Sequence, residues 1–233
     1  MKNSKIICIG DIHGEYYKLQ NLFEKLSFSS NDTFVFLGDY IDRGPDSKKV
    51  IDFLINLSKD YKCIFLKGNH EAFFLESYSK IFGASAWSND SGQSKIFQSW
   101  MLNGGSACLQ SYDAQAFLEG FQYRALQTME ETHGNFFRKL QLAYETDHYI
   151  FVHGYLSHEL DIEDQEEFLC LWGRYGEIWP HKSGKKIVCG HTAHPKAVDD
   201  GFKICIDTGS FKNYGFITAL VVDGDAHKFI EGK

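Results

Sequence analysis

Five short apolar stretches of this chain each lead into a turn that carries aspartate, asparagine or histidine. The first, "IICI", ends at Gly10 and is followed by Asp11 and His13. The other four lead into the segments GDYIDRG (38–44), GNHE (68–71), HG (153–154) and GH (190–191). Each stretch has the length of a buried β-strand. This recurrence constrains the fold most, because polar groups that follow several strands can meet at one edge of a sheet.

The residues between the first three strands show helical spacing. Apolar side chains recur on one face over residues 15–26 and again over 46–57. A strand–helix–strand–helix–strand order predicts an α/β fold with a parallel sheet and right-handed crossovers. After Phe202 the strands follow one another closely, which predicts an antiparallel end. Residues 72–145 combine polar, glycine-rich stretches with helical patterns, and they predict a mostly helical insertion.

The length and charge of the chain limit its partners. Its 233 residues suffice for one large domain, and a formal net charge of −7 argues against nucleic acid as a bulk partner. The apolar stretch after Lys2 and Lys5 is too short for a signal-peptide core, and no run reaches the length of a membrane span. We therefore expect a cytoplasmic protein without a membrane partner. The oligomeric state stays open.

The cysteines support the same compartment. The chain has six, none of them in a CxxC pair, and four lie inside apolar runs. Cysteine in such runs behaves as a small apolar residue. We expect reduced core cysteines and a reducing environment.

The polar groups at the strand ends have the chemistry of metal ligands. Oxygen and imidazole donors without thiolate suit manganese, iron or zinc. The donors outnumber the needs of one tetrahedral ion, so the sequence predicts a site for two metal ions. The candidate residues are Asp11, His13, Asp39, Asn69, His70, His153 and His191, with Asp42 and Arg43 beside them.

These blocks resemble the phosphoprotein phosphatase family of calcineurin-like metallophosphoesterases in their order and spacing. The matching blocks are GDIHG (10–14), GDYIDRG (38–44), GNHE (68–71), VHG (152–154) and GHT (190–192). The short gap between His153 and His191, with "NGGSACLQSY" (103–112) and "LWGR" (171–174), resembles the compact bacterial and phage branch. The resemblance implies one domain over residues 1–233: a central β-sandwich flanked by helices, with the helical insertion at about 72–145.

The resemblance also implies the metal ligands and the ions. Asp11 and His13 hold the first ion, and Asp39 bridges both ions. The ligands of the second ion are Asn69, His153 and His191. The resemblance therefore implies two divalent metal ions. Manganese is the first expectation, and iron or zinc are the alternatives.

The remaining roles concern catalysis and phosphate binding. By resemblance, a water shared by the two ions attacks phosphorus, His70 donates a proton to the leaving oxygen, and Asp42 orients His70. Arg43, Arg174 and Asn69 bind the phosphate, although Arg174 depends on the short "LWGR" match alone. Guanidinium groups match phosphate geometry.

Three functions are compatible with this site. The first is a serine/threonine protein phosphatase, acting on a phosphorylated protein or a small phosphoester. The second is a symmetrical bis(5′-nucleosyl)-tetraphosphatase, but such relatives tend to depart from DRG and to carry GNHD, whereas this chain has Asp42-Arg43-Gly44 and Glu71. The third is a non-catalytic scaffold, which should show broken ligand positions; none is broken here.

Other polar residues have weaker assignments. Tyr155 departs from the HAG of relatives; it either closes over the substrate or packs, and we expect packing. Asn103 and Gly104 either line the substrate groove or form a plain turn. The acidic run 161–168 predicts a solvated helix face, and Asp207 a structural turn. Surface or capping positions are expected for His133, His148, His158 and His194.

Overall fold

The structure, a computed structural model, describes residues 4–83, 92–174, 179–224 and 226–233. Its first sheet has five strands in the order β10-β9-β1-β2-β3. Strand β1 pairs in parallel with β2, and β2 in parallel with β3, as the sequence predicts. Strand β9 runs antiparallel to β1, and β10 antiparallel to β9. The strands are β1 (Ile6–Ile9), β2 (Thr33–Phe36), β3 (Lys62–Phe65), β9 (Ile217–Asp223) and β10 (Ala226–Gly232).

The second sheet also has five strands, in the order β4-β5-β6-β8-β7. They are β4 (Ala143–Glu145), β5 (Tyr149–Val152), β6 (Lys186–Cys189), β7 (Val198–Asp199) and β8 (Lys203–Cys205). Strands β5, β6 and β8 are parallel, with β4 and β7 antiparallel at the edges. The prediction of an antiparallel end after Phe202 is therefore right for β9 and β10 and wrong for β8.

The two sheets pack face to face through alternating side chains. Cys8, Val35 and Leu37 of the first sheet meet Phe151 and Val188 of the second in one buried cluster. The intervening residues of each strand point outward: those of the first sheet join a larger core with the helices, and those of the second form a smaller one. Period-two alternation between two buried faces explains why these strands are apolar throughout. The expected sandwich fold is confirmed.

Helices cover the outer face of the first sheet. Crossover helices α1 (Tyr16–Lys25) and α2 (Ser47–Asp60) connect its parallel strands. The described part of 72–145 is helical as far as Phe137. Its helices are α3 (Asn69–Phe82), α4 (Gly92–Trp100), a π-helical turn (Met101–Gly105), α5 (Ser106–Tyr112), α6 (Ala114–Leu118) and α7 (Gln122–Phe137).

A further short helix, α8 (Glu167–Trp172), follows a 3₁₀ turn at Ile162–Asp164 beside the second sheet. Among the described residues, no helix is both long and apolar enough to cross a bilayer. All six cysteines are free thiols; five are buried, and Cys63 is half-buried. This agrees with the prediction that they are reduced residues of the interior.

Candidate metal centre and active site

The predicted ligands come together where strands of both sheets end. Asp11 and His13 follow β1, Asp39 follows β2, and Asn69 and His70 begin α3 directly after β3. From the second sheet, His153 follows β5 and His191 follows β6. All of them except His191 are at most 4% exposed. Buried polar groups need hydrogen-bond or ionic partners, and these side chains serve as partners for one another.

The carboxylate of Asp39 lies at the centre of the site. Its Oδ2 is 3.5 Å from Nε2 of His13 and 3.9 Å from Nε2 of His70, and its Oδ1 is 3.4 Å from Nε2 of His153. Among the described residues, two groups could each hold a metal ion, with ligand atoms within 4.8 Å of one another: His13–Asp39–His70 and Asp39–His153–His191. Asp39 belongs to both groups, which is the geometry that a bridging carboxylate requires.

Asn69 and Asp11 lie at the edge of these groups. Oδ1 of Asn69 is 2.9 Å from Nε2 of His153 and 3.0 Å from Nδ1 of His191, so the amide oxygen joins the second group. The carboxylate of Asp11 accepts a hydrogen bond from the backbone N–H of His191, at 3.1 Å to Oδ2. Asp11 thus connects the loops of the two sheets, and its assignment to the first ion stays a prediction.

The charge state of these side chains suits metal binding. Burial alone would raise the pKa of Asp39, but the surrounding imidazoles, His153 first, lower it below its ordinary value. Burial, followed by the neighbouring His153, lowers the pKa of His191 to about 4. Burial also lowers the pKa of His13 and of His153. Deprotonated carboxylate and neutral imidazole are the forms that bind metal, so the shifts of Asp39 and of these three histidines fit divalent ions. Burial raises the pKa of Asp11 well above its ordinary value.

The backbone of the site is strained. His13, Asp39, Asp42, Arg43 and His191 have φ values of 49°, 51°, 73°, 68° and 64°. Within the described ranges, these are all of the non-glycine residues with positive φ. Such conformations cost on the order of 1–3 kcal/mol each and concentrate at functional sites. Five of them here mean that the surrounding structure forces these site residues into position.

Glu71 is a site residue whose role the sequence interpretation missed. Its Oε2 accepts hydrogen bonds from the backbone N–H groups of Asp39 and Gly68, both at 2.9 Å, and its Oε1 accepts one from Tyr40 at 2.8 Å. A signal was present in GNHE, because Glu71 is the third residue of α3, where its carboxylate accepts the N–H of the N-cap residue Gly68, as a glutamate does in one half of a capping box. Glu71 fixes the backbone from which the Asp39 side chain projects.

Trp100 is a second residue whose role the sequence interpretation missed, and it supports the predicted proton donor His70 through Asp42. Nδ1 of His70 is 2.6 Å from Oδ2 of Asp42, and the same oxygen accepts a hydrogen bond from Nε1 of Trp100 at 2.7 Å. Burial alone would lower the pKa of His70, but Asp39 and Asp42 outweigh it, and the pKa is raised. This favours the imidazolium form, which can donate a proton from Nε2.

The two predicted arginines differ in their surroundings. The guanidinium of Arg43 lies 4.3 Å above the ring of Phe211, and its Nη1 donates to Nε2 of His13 at 2.9 Å. Arg174 is exposed, and its Nε donates to Nε2 of His191 at 3.3 Å. The two arginines contact different candidate ligand groups: Arg43 contacts His13 of the first group, and Arg174 contacts His191 of the second.

The weaker assignments have mixed outcomes. Asn103 is exposed and its amide donates to the carbonyl of Ser99, whereas the carbonyl of Gly104 accepts the N–H of Arg43 at 3.2 Å. Tyr155 is half-buried and its ring lies 5.9 Å from Nζ of Lys203, in agreement with packing.

Asp207 makes the predicted turn, because its Oδ1 accepts the N–H of Gly209 at 2.8 Å. The acidic run 161–168 is largely exposed, as expected, but it is not one helix face. Extended backbone at Gln165 and Glu166 separates the 3₁₀ turn from α8.

The surface prediction is wrong for His133. This residue is 4% exposed, its Nδ1 lies 2.8 Å from the hydroxyl of Tyr112, and its Nε2 lies 3.1 Å from Oδ1 of Asp52. Helix α7 packs against α5, so His133 faces inward. His148 is exposed, and His158 and His194 are half-buried.

The calcineurin-like phosphoesterase family model matches residues 4–227 of the chain. The chain belongs to this family. Its members' fold agrees with the two mixed sheets flanked by helices, and the histidine and aspartate groups agree with metal-dependent phosphoester hydrolysis. The protein is therefore a metal-dependent phosphoesterase.

Solved structures show the same fold at low sequence identity. A putative diadenosine tetraphosphatase has a TM-score of 0.65 at 20% identity, over 100% of this chain and 96% of that chain. A protein serine/threonine phosphatase from Saccharomyces cerevisiae has 0.60 at 18%, over 100% and 81%. The cold-active protein-tyrosine phosphatase of the psychrophile Shewanella sp. has 0.58 at 15%, over 99% and 80%. At these identities the likeness shows the fold alone.

Proposed function

We propose that this phosphoesterase is a phosphomonoesterase of the phosphoprotein phosphatase branch, with serine/threonine phosphoproteins as its substrates. One observation carries the proposal: the hydrogen-bonded pair of His70 and Asp42, 2.6 Å apart, lies beside a carboxylate that two ligand groups share. A proton donor next to a two-ion site is the equipment that displacement of an alkoxide from phosphorus requires.

The metal ligands in this proposal are Asp11, His13 and Asp39 for one ion, and Asp39, Asn69, His153 and His191 for the other. When bound, two such ions polarise the phosphoryl oxygens and lower the pKa of a water. The chain holds its ligands ready through hydrogen bonds of the ring nitrogens that face away: Nδ1 of His13 lies 3.0 Å from the carbonyl of Ile41, and Nδ1 of His153 lies 2.9 Å from that of Leu37. Such partners favour the tautomer that carries its proton on Nδ1 and turns the Nε2 lone pair towards the ligand cluster.

The proton for the leaving oxygen comes from Nε2 of His70. This nitrogen faces Asp39 at 3.9 Å, whereas Nδ1 faces Asp42. Asp42 holds the ring orientation, and Trp100 donates a hydrogen bond to the same oxygen of Asp42 that faces His70. The leaving alkoxide of a serine or threonine ester is a strong base, so a donor at this position has a large effect on its departure.

Arg43 binds the phosphoryl oxygens in this proposal. Its guanidinium extends past His13 into the ligand cluster, where a dianionic phosphate gains a forked donor. Arg174 approaches His191 from the exposed side and completes the cradle. Positive groups aimed at the developing charge are the form of electrostatic catalysis that phosphoryl transfer uses.

A symmetrical dinucleoside tetraphosphatase is the second candidate. The observation in its favour is the similarity to the putative diadenosine tetraphosphatase, which extends over 96% of that chain at a TM-score of 0.65. The intact Asp42-Arg43-Gly44 and Glu71 favour the phosphatase.

A panel of substrates separates the candidates. The manganese-loaded protein is assayed with a phosphoserine peptide, a phosphotyrosine peptide, p-nitrophenyl phosphate and diadenosine tetraphosphate. We expect the highest kcat/KM among the natural esters for the phosphoserine peptide, and loss of all turnover in Asp39→Asn. Preference for diadenosine tetraphosphate would replace the proposal by the second candidate. Failure of every substrate, with metal bound and the fold intact, would support a scaffold.

A further inference from the structure

The loop between β8 and β9 contacts the phosphate-binding side of the site. We define the covering loop as residues 207–216. Its Phe211 ring lies 4.3 Å from the guanidinium carbon of Arg43 and meets the His13 ring edge-on at a centroid distance of 5.2 Å. The sequence interpretation gave this segment only a structural turn at Asp207. Through Phe211, the covering loop contacts two of the candidate site residues, Arg43 and His13.

Lys18 of α1 holds the covering loop from beneath. Its ammonium group donates to three backbone carbonyls of the loop, those of Ser210 at 2.5 Å, Lys212 at 3.3 Å and Gly215 at 3.0 Å. The Lys18 side chain is only 21% exposed. Three acceptors arranged around one ammonium match its three N–H bonds. The loop is therefore anchored to α1, which begins directly after the turn that carries His13.

The loop has two further anchors. The hydroxyl of Ser210 donates to the carbonyl of Ile12 at 3.1 Å, in the turn between Asp11 and His13. The hydroxyl of Thr208 donates to the carbonyl of Phe216 at 2.6 Å and closes the loop on itself. These bonds leave Phe211 on a backbone with little freedom to move away from Arg43.

Arg43 is confined from its backbone side as well. Its N–H donates to the carbonyl of Gly104 at 3.2 Å, and a Cβ at position 104 would lie 2.6 Å from the backbone nitrogen of Arg43 and 2.7 Å from its Cγ. Only glycine permits this close approach. Gly104 thus restricts the start of the Arg43 side chain, and Phe211 restricts its end.

We propose that Phe211 is a positioning residue that holds the Arg43 guanidinium in the orientation for binding phosphate, and that Lys18 maintains the loop that presents it. The inference rests on the proposed function, in which Arg43 binds phosphate. A guanidinium over an aromatic face is attracted by the ring quadrupole. Fixing a flexible side chain before the substrate arrives also removes an entropy loss from the binding step.

The test measures the affinity of the manganese-loaded protein for inorganic phosphate by titration calorimetry, together with kcat and KM for p-nitrophenyl phosphate. Phe211→Leu removes the ring at similar volume, and we expect the Kd for phosphate to rise about three- to thirtyfold. Phe211→Tyr keeps the ring and should restore the affinity. The matched control is Tyr214→Leu, because Tyr214 lies in the same loop but is 70% exposed.

A double-mutant cycle identifies the route of the effect. In an Arg43→Ala background, Phe211→Leu should change the Kd by less than about twofold, because the group it positions is gone. Lys18→Met should raise the Kd in the same direction as Phe211→Leu and should add little to that variant. Equal effects of Phe211→Leu with and without Arg43 would overturn the inference, as would an unchanged Kd in Phe211→Leu.

Arg43→Ala by itself tests the proposed function. If this variant binds phosphate as tightly as the wild type, the phosphate-binding role of Arg43 fails. If it binds weakly while Phe211→Leu binds normally, only the positioning role of Phe211 fails. Metal content and melting temperature of each variant show whether the fold and the ions are retained.

Discussion

The two sheets contribute to the site in different ways. Loops of the first sheet are bonded to each other: the N–H groups of Ile12 and His13 both donate to the carbonyl of Asp39, at 3.0 and 2.8 Å, and Gly44 donates to the carbonyl of His13 at 2.9 Å. The second sheet supplies two imidazoles that depend on the first. His153 is fixed by the carbonyl of Leu37 at 2.9 Å.

His191 depends on the first sheet in the same way. Its N–H donates to Asp11, and its Nδ1 lies 3.0 Å from Oδ1 of Asn69. The comparison teaches that the first sheet builds one candidate ligand group locally, together with the proposed acid His70 and the proposed phosphate-binding Arg43, whereas the second group exists only when the sandwich is packed. Asp39 is the side chain through which the two groups meet.

The largest expected effect comes from Asp39→Asn. A neutral amide cannot hold two cations close together, so turnover of p-nitrophenyl phosphate should fall to near background. The exposed Asp60→Asn, at the end of α2, serves as the matched control and should retain full activity. Near-normal rates in Asp39→Asn would show that the Asp39 carboxylate does not bridge the ions held by the two ligand groups.

The second largest effect is expected for His70, which follows a strand of the first sheet. His70→Asn should slow turnover by roughly 10²–10⁴-fold, the usual effect of a positioned general acid. The loss should be greater for an alkyl phosphate than for p-nitrophenyl phosphate, whose leaving group needs less assistance. Steady-state rates with both substrates check this, and an equal loss for both would argue against proton donation.

Glu71→Gln tests the rigidity of the loops of the first sheet. Both carboxylate oxygens accept backbone N–H bonds, and glutamine replaces one acceptor by a donor. Leaving buried donors unpaired costs about 1–3 kcal/mol, so the free energy of unfolding in denaturant should fall by that amount. The control is Glu76→Gln on the exposed side of α3. Equal stability of the two variants would remove Glu71 as a support for Asp39.

Arg174→Ala should have the smallest effect of the series. Arg174 is exposed and touches the site through His191 of the second sheet. We expect KM to rise about two- to fivefold, the size of an exposed ionic contact, with unchanged metal content. Unaltered kinetics with an intact fold would remove Arg174 from the site and leave phosphate binding to the first sheet.

Residues beside strand ends were predictable because their signal is local. An apolar run followed by glycine and then Asp, Asn or His predicts both a strand and the polar side chain at its end, as in Gly10-Asp11 or Gly190-His191. Glu71 had a local signal too, because it is the third residue of α3 and its carboxylate accepts the N–H of the residue just before the helix. The α/β class followed from the same pattern of strands and helices, whereas the sandwich of two sheets came from the resemblance to the family.

Features that depend on distant partners could not be predicted in this way. His133 is buried because Tyr112 and Asp52 meet it, and Asp52 is 81 positions away. Lys18 reaches carbonyls 192 and more positions along the chain. Strand β8 carries the same kind of apolar run as its neighbours, and only the packing of Ile204 between the sheets places it beside β6. Periodicity specifies an element and its buried face, but the partner is chosen by tertiary packing.

The central claim is that Asp39 is shared by two ligand groups, one completed by each sheet. Metal content per chain, measured by inductively coupled plasma mass spectrometry after manganese loading and desalting, tests it most directly. The wild type should hold about two ions. His13→Ala and His153→Ala should each lose one ion, from opposite groups, and Asp39→Asn should lose both. Two ions retained by folded Asp39→Asn, or loss of both ions in each histidine variant, would contradict the account.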